Sequence, residues 1–186
     1  MKQLLIFLIL ICLVSSKGQI LKIRLPKEVY NYRELDKEST FCTSLDVNQL
    51  IYIYQFEPIL NHEVNHITVV AVSPVKEDNL KNSKKENNGF LKCSNLVTNS
   101  SDLWQSASNI KGQRVETIYV TSKYGQILRL PPDVGFEVGK LKTKLYIQVH
   151  FAPMKSRNFD EIGVDIHYTT KELPLKAGIM SLHAAG

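Results

Sequence analysis

The chain has 186 residues, 23 of them Lys or Arg and 18 Asp or Glu, for a formal charge of +5. The basic residues collect in polar connections such as Lys81 to Lys85 and never interleave with aromatics as a binding stripe does, so no nucleic-acid partner is expected. With an apolar leader set aside, about 170 residues remain, enough for one domain with a real core.

Lys2 supplies a positive start, Leu4 to Val14 is an unbroken apolar run, and Val14, Ser15 and Ser16 offer a small-residue cleavage site. Residues 1–16 therefore read as a signal peptide, and the chain is expected to be secreted. An uncleaved anchor is the alternative, but a spanning helix needs about 20 apolar residues and this run is shorter. No second apolar segment of spanning length follows, so residues 17–186 read as one domain that does not cross a membrane.

Along that domain the apolar pattern has mostly a period of two. Ile20 to Leu25, Leu50 to Phe56, Ile67 to Val72, Thr117 to Val120, Leu145 to Phe151 and Val164 to Tyr168 are short and rich in β-branched or aromatic residues. Polar residues, Gly or Pro bound each of them, which predicts strands. In the second, alternation assigns Tyr52, Tyr54 and Phe56 to one face and Ile51, Ile53 and Gln55 to the other. Val75 to Gly89 is rich in Lys, Asn, Glu and Ser and predicts a solvated surface loop, with a basic docking site as the alternative reading. Asp102 to Ser108 allows a short helical turn. Six or more short strands separated by turns predict an antiparallel sandwich or barrel.

Cys12 leaves with the leader, so Cys42 and Cys93 form an even pair in an oxidising compartment. One disulfide between them closes a loop of about fifty residues and stabilises by roughly 3–4 kcal/mol on the chain-entropy model; two unrelated buried thiols are the other reading. Asn99-Ser100-Ser101 is a glycosylation acceptor in a polar stretch. His66 directly precedes one predicted strand and His150 sits near the end of another. A strand fixes the direction of a side chain, so two such histidines on facing strands can converge on one metal. The plainer reading is a pair of structural histidines. No nucleophile-elbow motif occurs, which leaves a serine or cysteine hydrolase without support.

The motifs, taken in order, bear a likeness. Phe41-Cys42-Thr43-Ser44, "YQFEP" from Tyr54 to Pro58, "VNHITVVAV" from Val64 to Val72 and Leu103-Trp104 come first. "LRLPPDVGFEVG" from Leu128 to Gly139, "YIQVHF" from Tyr146 to Phe151, "IGVDIHYT" from Ile162 to Thr169 and "AGIM" from Ala177 to Met180 follow. This ordered set resembles the amino-terminal domain of the copper type II, ascorbate-dependent monooxygenases, the peptidylglycine α-hydroxylating branch first and the dopamine β-monooxygenase branch next. "FCTSL" and "QVHF" lean towards the first branch, and "YQFEP" and "AGIM" are compatible with the second.

The resemblance implies an all-β fold, a single-domain antiparallel β-sandwich of jelly-roll type, holding one copper through three histidines. In the family two of these are adjacent and open one strand, and the third lies in a Gln-Val-His motif. His150 matches the third, with Gln148 and Val149 in place, and Gln148 is expected beside the site. His66 matches the second member of the pair, and Asn65 stands where the first histidine should be. A carboxamide is a poor ligand for soft Cu(I), so the resemblance implies a degenerate copper site. His62, four residues before His66, supplies the missing nitrogen if the strand extends that far; otherwise it is an exposed loop residue after Pro58. His167 is expected to be structural, and His183 has no evident role. Cys42 and Cys93 match the two members of one family disulfide, and Val72 occupies a position where the peptide-hydroxylating members carry a cysteine.

In the family a second sandwich follows, with a second copper on a His-x-His pair and a methionine. Nothing matching it occurs before Gly186, and Met154 and Met180 belong to the first-domain stretches. The expectation is therefore the electron-transfer copper half of a peptidylglycine α-hydroxylating-type, copper- and ascorbate-dependent monooxygenase, not catalytic alone. A glycine-extended peptide is its substrate only if the protein continues past Gly186. The alternative is a secreted, non-catalytic β-sandwich binding module with weak or no copper binding.

Overall fold

The computed structural model describes residues 18–32, 37–73, 91–92, 114–153 and 161–179. The expected signal peptide, the Val75 to Gly89 loop, the Asp102 to Ser108 turn, Cys93, Asn99, Met154, Met180 and His183 lie outside the described residues.

Eleven strands and one short helix occupy the described chain. In order they are β1 (Gln19–Arg24), α1 (Val29–Tyr32), β2 (Ser39–Val47), β3 (Ile51–Ile59), β4 (Val64–Ser73) and β5 (Leu91–Lys92). Then come β6 (Arg114–Ser122), β7 (Leu128–Arg129), β8 (Val134–Val138), β9 (Thr143–Phe151), β10 (Gly163–Thr169) and β11 (Leu175–Lys176). One sheet has the order β1-β10-β3-β8-β11, with β7 also paired to β3, and the other the order β5-β2-β9-β4-β6. Every pairing is antiparallel except β11 against β8. Successive strands change sheets: β2 to β3, β3 to β4, β8 to β9 and β9 to β10 each pass from one layer to the other. That path wraps the chain around its own core in the jelly-roll manner and makes most pairings long-range. No helix among the described residues is long and apolar enough to cross a membrane.

The inner faces supply one core. Ile23, Ile51, Ile53, Phe56, Val164 and Ile166 come from the first sheet, and Phe41, Ile67, Val69, Leu145, Ile147, Val149 and Phe151 from the second. Phe56 on β3 stacks on Tyr119 of β6 with centroids 4.8 Å apart and planes 3° from parallel, joining the two layers. At one end the ring of Phe151 takes edge contacts from Tyr30 of α1 at 6.3 Å and from Phe41 at 6.1 Å. At the sheet edge, Arg24 of β1 reaches across to Asp165, to Glu161 at 3.0 Å and to the carbonyl of Val164 at 3.1 Å.

All six predicted strands exist, mostly longer than the apolar pattern suggests. One long strand was not anticipated and one expectation needs correction. β2 carries no run of large β-branched residues, only Cys, Thr, Ser and Asp between Phe41, Leu45 and Val47, and it forms because β9 pairs with it along nine positions from Ser39↔Phe151 to Val47↔Thr143. The simple alternation expected for Leu50 to Phe56 also fails. A bulge shifts the β10–β3 register between His167 and Tyr168, so that Ile53 faces Tyr168, Gln55 faces His167 and Tyr54 is passed over. The extra residue resets the phase of the strand, and Phe56 joins Ile51 and Ile53 in the core instead of opposing them. Tyr52 is shut away beneath the ammonium of Lys176, 4.0 Å from its ring centroid.

Candidate metal centre

β4 and β9 are neighbours in the middle of the second sheet, and their register sets His66 directly opposite His150. The two imidazole centroids lie 4.8 Å apart with ring planes inclined by 41°. The strands must place them so: Ile67 and Val69 on β4 and Ile147 and Val149 on β9 are fully buried in the core, so the intervening residues point to the other face. Thr40 of β2 stands opposite His150 and Ser122 of β6 opposite His66, completing a row across four strands. The next row on this face is Cys42, Gln148, Thr68 and Val120.

A bulge interrupts the β4–β9 ladder between Val64 and His66, and Asn65 is the residue without a partner across it. Val64 and Ile67 are both buried while Asn65 and His66 are both half-buried. A regular strand sends consecutive side chains to opposite faces; a bulge lets two of them leave on the same side. The carboxamide of Asn65 thus sits in the local geometry that allows adjacent residues to address one site.

Burial pushes the basicity of His66 below its usual value, the neighbouring His150 pushes in the same direction, and the carboxylate of Glu38 pulls the other way. His66 is therefore biased towards the neutral, lone-pair-bearing form that binds metals. His150 Nε2 lies 3.5 Å from Glu38 Oε2. Its other nitrogen, Nδ1, is buried and has no hydrogen-bond partner. Such an orphaned acceptor or donor in a half-buried ring asks for a partner, and a metal ion supplies one.

His62 does not join them. The chain turns at Asn61–Glu63, where Asn61 Oδ1 accepts from the Glu63 amide at 3.0 Å and the Val64 amide donates to the Asn61 carbonyl at 3.2 Å. β4 begins only at Val64, so the same-face argument for His62 fails, and the residue is exposed. Among the described residues no group of three or more His, Cys, Asp or Glu side chains is arranged to hold a metal ion. The donor set fits two-nitrogen coordination by His66 and His150; it does not fit a three-imidazole centre.

Gln148 lies two residues before His150 on the same face, between Cys42 and Thr68. Cys42 is buried on β2 and paired with Leu91 of β5, which ends one residue before position 93. His167 is on the other sheet, with Nε2 3.2 Å from Glu57 Oε2, in keeping with a structural role. Sequence reasoning overlooked Glu38, because its nearness to His150 follows from the β2–β9 register, which no local pattern announces.

Fold and site together define an antiparallel two-sheet β-sandwich that presents a strand-borne histidine pair on the outer face of one sheet. Over 90 residues, 46% of its length, the chain is 29% identical to the peptidyl-glycine alpha-amidating monooxygenase B of Xenopus laevis. It spans about 10% of that protein's length. No protein-family model matches. The likeness is a partial one to a peptide-amidating monooxygenase, and it lends nothing to the dopamine-hydroxylating branch.

Proposed function

We propose that this chain is a copper-monooxygenase-like sandwich, secreted after loss of residues 1–16, in which His66 and His150 hold a single copper ion weakly. The observation that supports this most is the cross-strand register of His66 and His150, with centroids 4.8 Å apart and a buried, unpartnered His150 Nδ1. Copper bound there would supply storage of one electron, with ascorbate as the reductant that the likeness suggests. The chain's own part is to hold two imidazoles at fixed separation on a rigid sheet, with Gln148 beside them and Asn65 in place of a third ligand. Two imidazoles suit cuprous copper, which accepts low coordination, better than cupric copper with its tetragonal preference.

The relative's name ties it to amidation of peptides ending in glycine. A glycine-extended peptide substrate for this protein is a proposal conditional on a second copper domain beyond Gly186. A bridge from Cys42 to Cys93 belongs to this reading, and the pairing of Leu91 and Lys92 with Cys42 and Phe41 is the observation that supports it. Glycosylation at Asn99 accompanies the secretory route.

Titration of the full chain with Cu(I) against a chromophoric chelator tests the reading. One copper per chain is expected, lost in the His66→Ala, His150→Ala double variant. Equal affinity in the wild type and the double variant would remove the metal site and leave the second reading, a non-catalytic binding module. Asn65 and the missing third ligand are the observations that favour that alternative.

A further inference from the structure

The role of one carboxylate follows from the same corner of the sheet and rests on the reading that His66 and His150 take a metal. Glu38 immediately precedes β2, whose Thr40 stands opposite His150. Two residues apart on an extended chain, Glu38 and Thr40 share a face, so Glu38 is a diagonal neighbour of His150 and within reach of a long side chain. Its Oε2 lies 3.5 Å from Nε2 of His150, on the opposite side of the ring from the buried Nδ1 that has no partner.

We propose that Glu38 is a positioning residue for the metal: it keeps the His150 proton on Nε2 and so leaves the lone pair on Nδ1. A neutral imidazole carries one N–H and one lone pair, and the group next to one nitrogen decides which is which. A carboxylate beside Nε2 stabilises the N–H there. The lone pair then falls on the buried nitrogen, where no protein donor meets it and a cation completes its bonding. This is the carboxylate–histidine–metal arrangement, in which the outer group fixes tautomer and ring orientation and strengthens the ligand. Glu38 has one side chain 61% exposed and His150 one 20% exposed, so the carboxylate rotates freely enough to close the remaining gap to a hydrogen bond.

The competing account is an ordinary surface ion pair, which needs a protonated His150 and does nothing for a neutral ring. The two separate at pH 8. Long-range proton–nitrogen correlation spectra of the metal-free, full chain should show His150 as the Nε2–H tautomer, drifting to a mixture in Glu38→Leu and retained in Glu38→Gln, whose carboxamide oxygen still accepts. Cu(I) affinity should fall about 10-fold in Glu38→Leu, the lower end of what outer partners of metal ligands contribute, and by less in Glu38→Gln. An unchanged tautomer with equal or tighter Cu(I) binding in Glu38→Leu overturns the role of Glu38 and leaves the histidine pair standing. A wild-type chain that takes up no Cu(I) overturns the histidine pair and this role with it.

Discussion

Restoring the missing imidazole is the sharpest test of how the bulge in β4 aims its side chains. In Asn65→His the substituted residue occupies the position passed over between Val64 and His66 in the β4–β9 ladder. If the bulge sends positions 65 and 66 to the same face, a third nitrogen arrives beside the His66–His150 pair. Four-ligand structural metal sites bind with apparent free energies of about 10–16 kcal/mol, or roughly 3 kcal/mol per ligand. Ordering the new side chain costs about 1 kcal/mol, which leaves a gain of about 2 kcal/mol. At 1.4 kcal/mol per decade that is a gain of about 30-fold in Cu(I) affinity. Competition with a chromophoric Cu(I) chelator gives the affinity, and X-ray absorption of the bound copper counts nitrogen neighbours, expected to rise from two to three. Thermal melting of the metal-free variant controls for the fold, since position 65 is half-buried and outside the core. Affinity unchanged in Asn65→His, with binding still lost in His150→Ala, would refute the geometry inferred for the bulge.

Other expectations follow from the core and its rings. Phe56 is fully buried and stacks on Tyr119 across the two sheets, so Phe56→Ala should cost about 3–5 kcal/mol in urea unfolding; a loss below about 1 kcal/mol would mean the layers are not locked there. Burial holds the Tyr119 hydroxyl above its usual value of 10.0 and does the same for Tyr146, with Asp46 adding to the second. The unfolded chain therefore releases these protons first as pH rises. Their contribution to stability is whole below pH 10 and declines above it, which a series of melts from pH 8 to pH 11 on wild type and Tyr119→Phe will check. A wild type whose alkaline loss equals that of Tyr119→Phe would remove Tyr119 from the explanation.

The residues themselves determined a good deal about this protein. Period-two runs such as Leu145 to Phe151 announced strands, because a half-buried sheet must alternate, and that pattern is local. His66 and His150 stood out by residue type and strand position, and the resemblance carried by the ordered motifs made them candidate ligands. What lay beyond local pattern was decided by pairing. β2 spaces Phe41, Leu45 and Val47 among small polar residues with no β-branched run, and its pairing with β9 along its whole length completes it. Phe56 faces the core only because a bulge beside Tyr168 resets the phase of β3. His62 drops out of the site because Asn61 closes a turn in front of β4. Glu38 enters it because the β2–β9 register carries that carboxylate to the His150 ring. Each of these depends on contacts between segments far apart in the chain, whose free energies outweigh local preference, and such contacts have no signature in any single stretch of sequence.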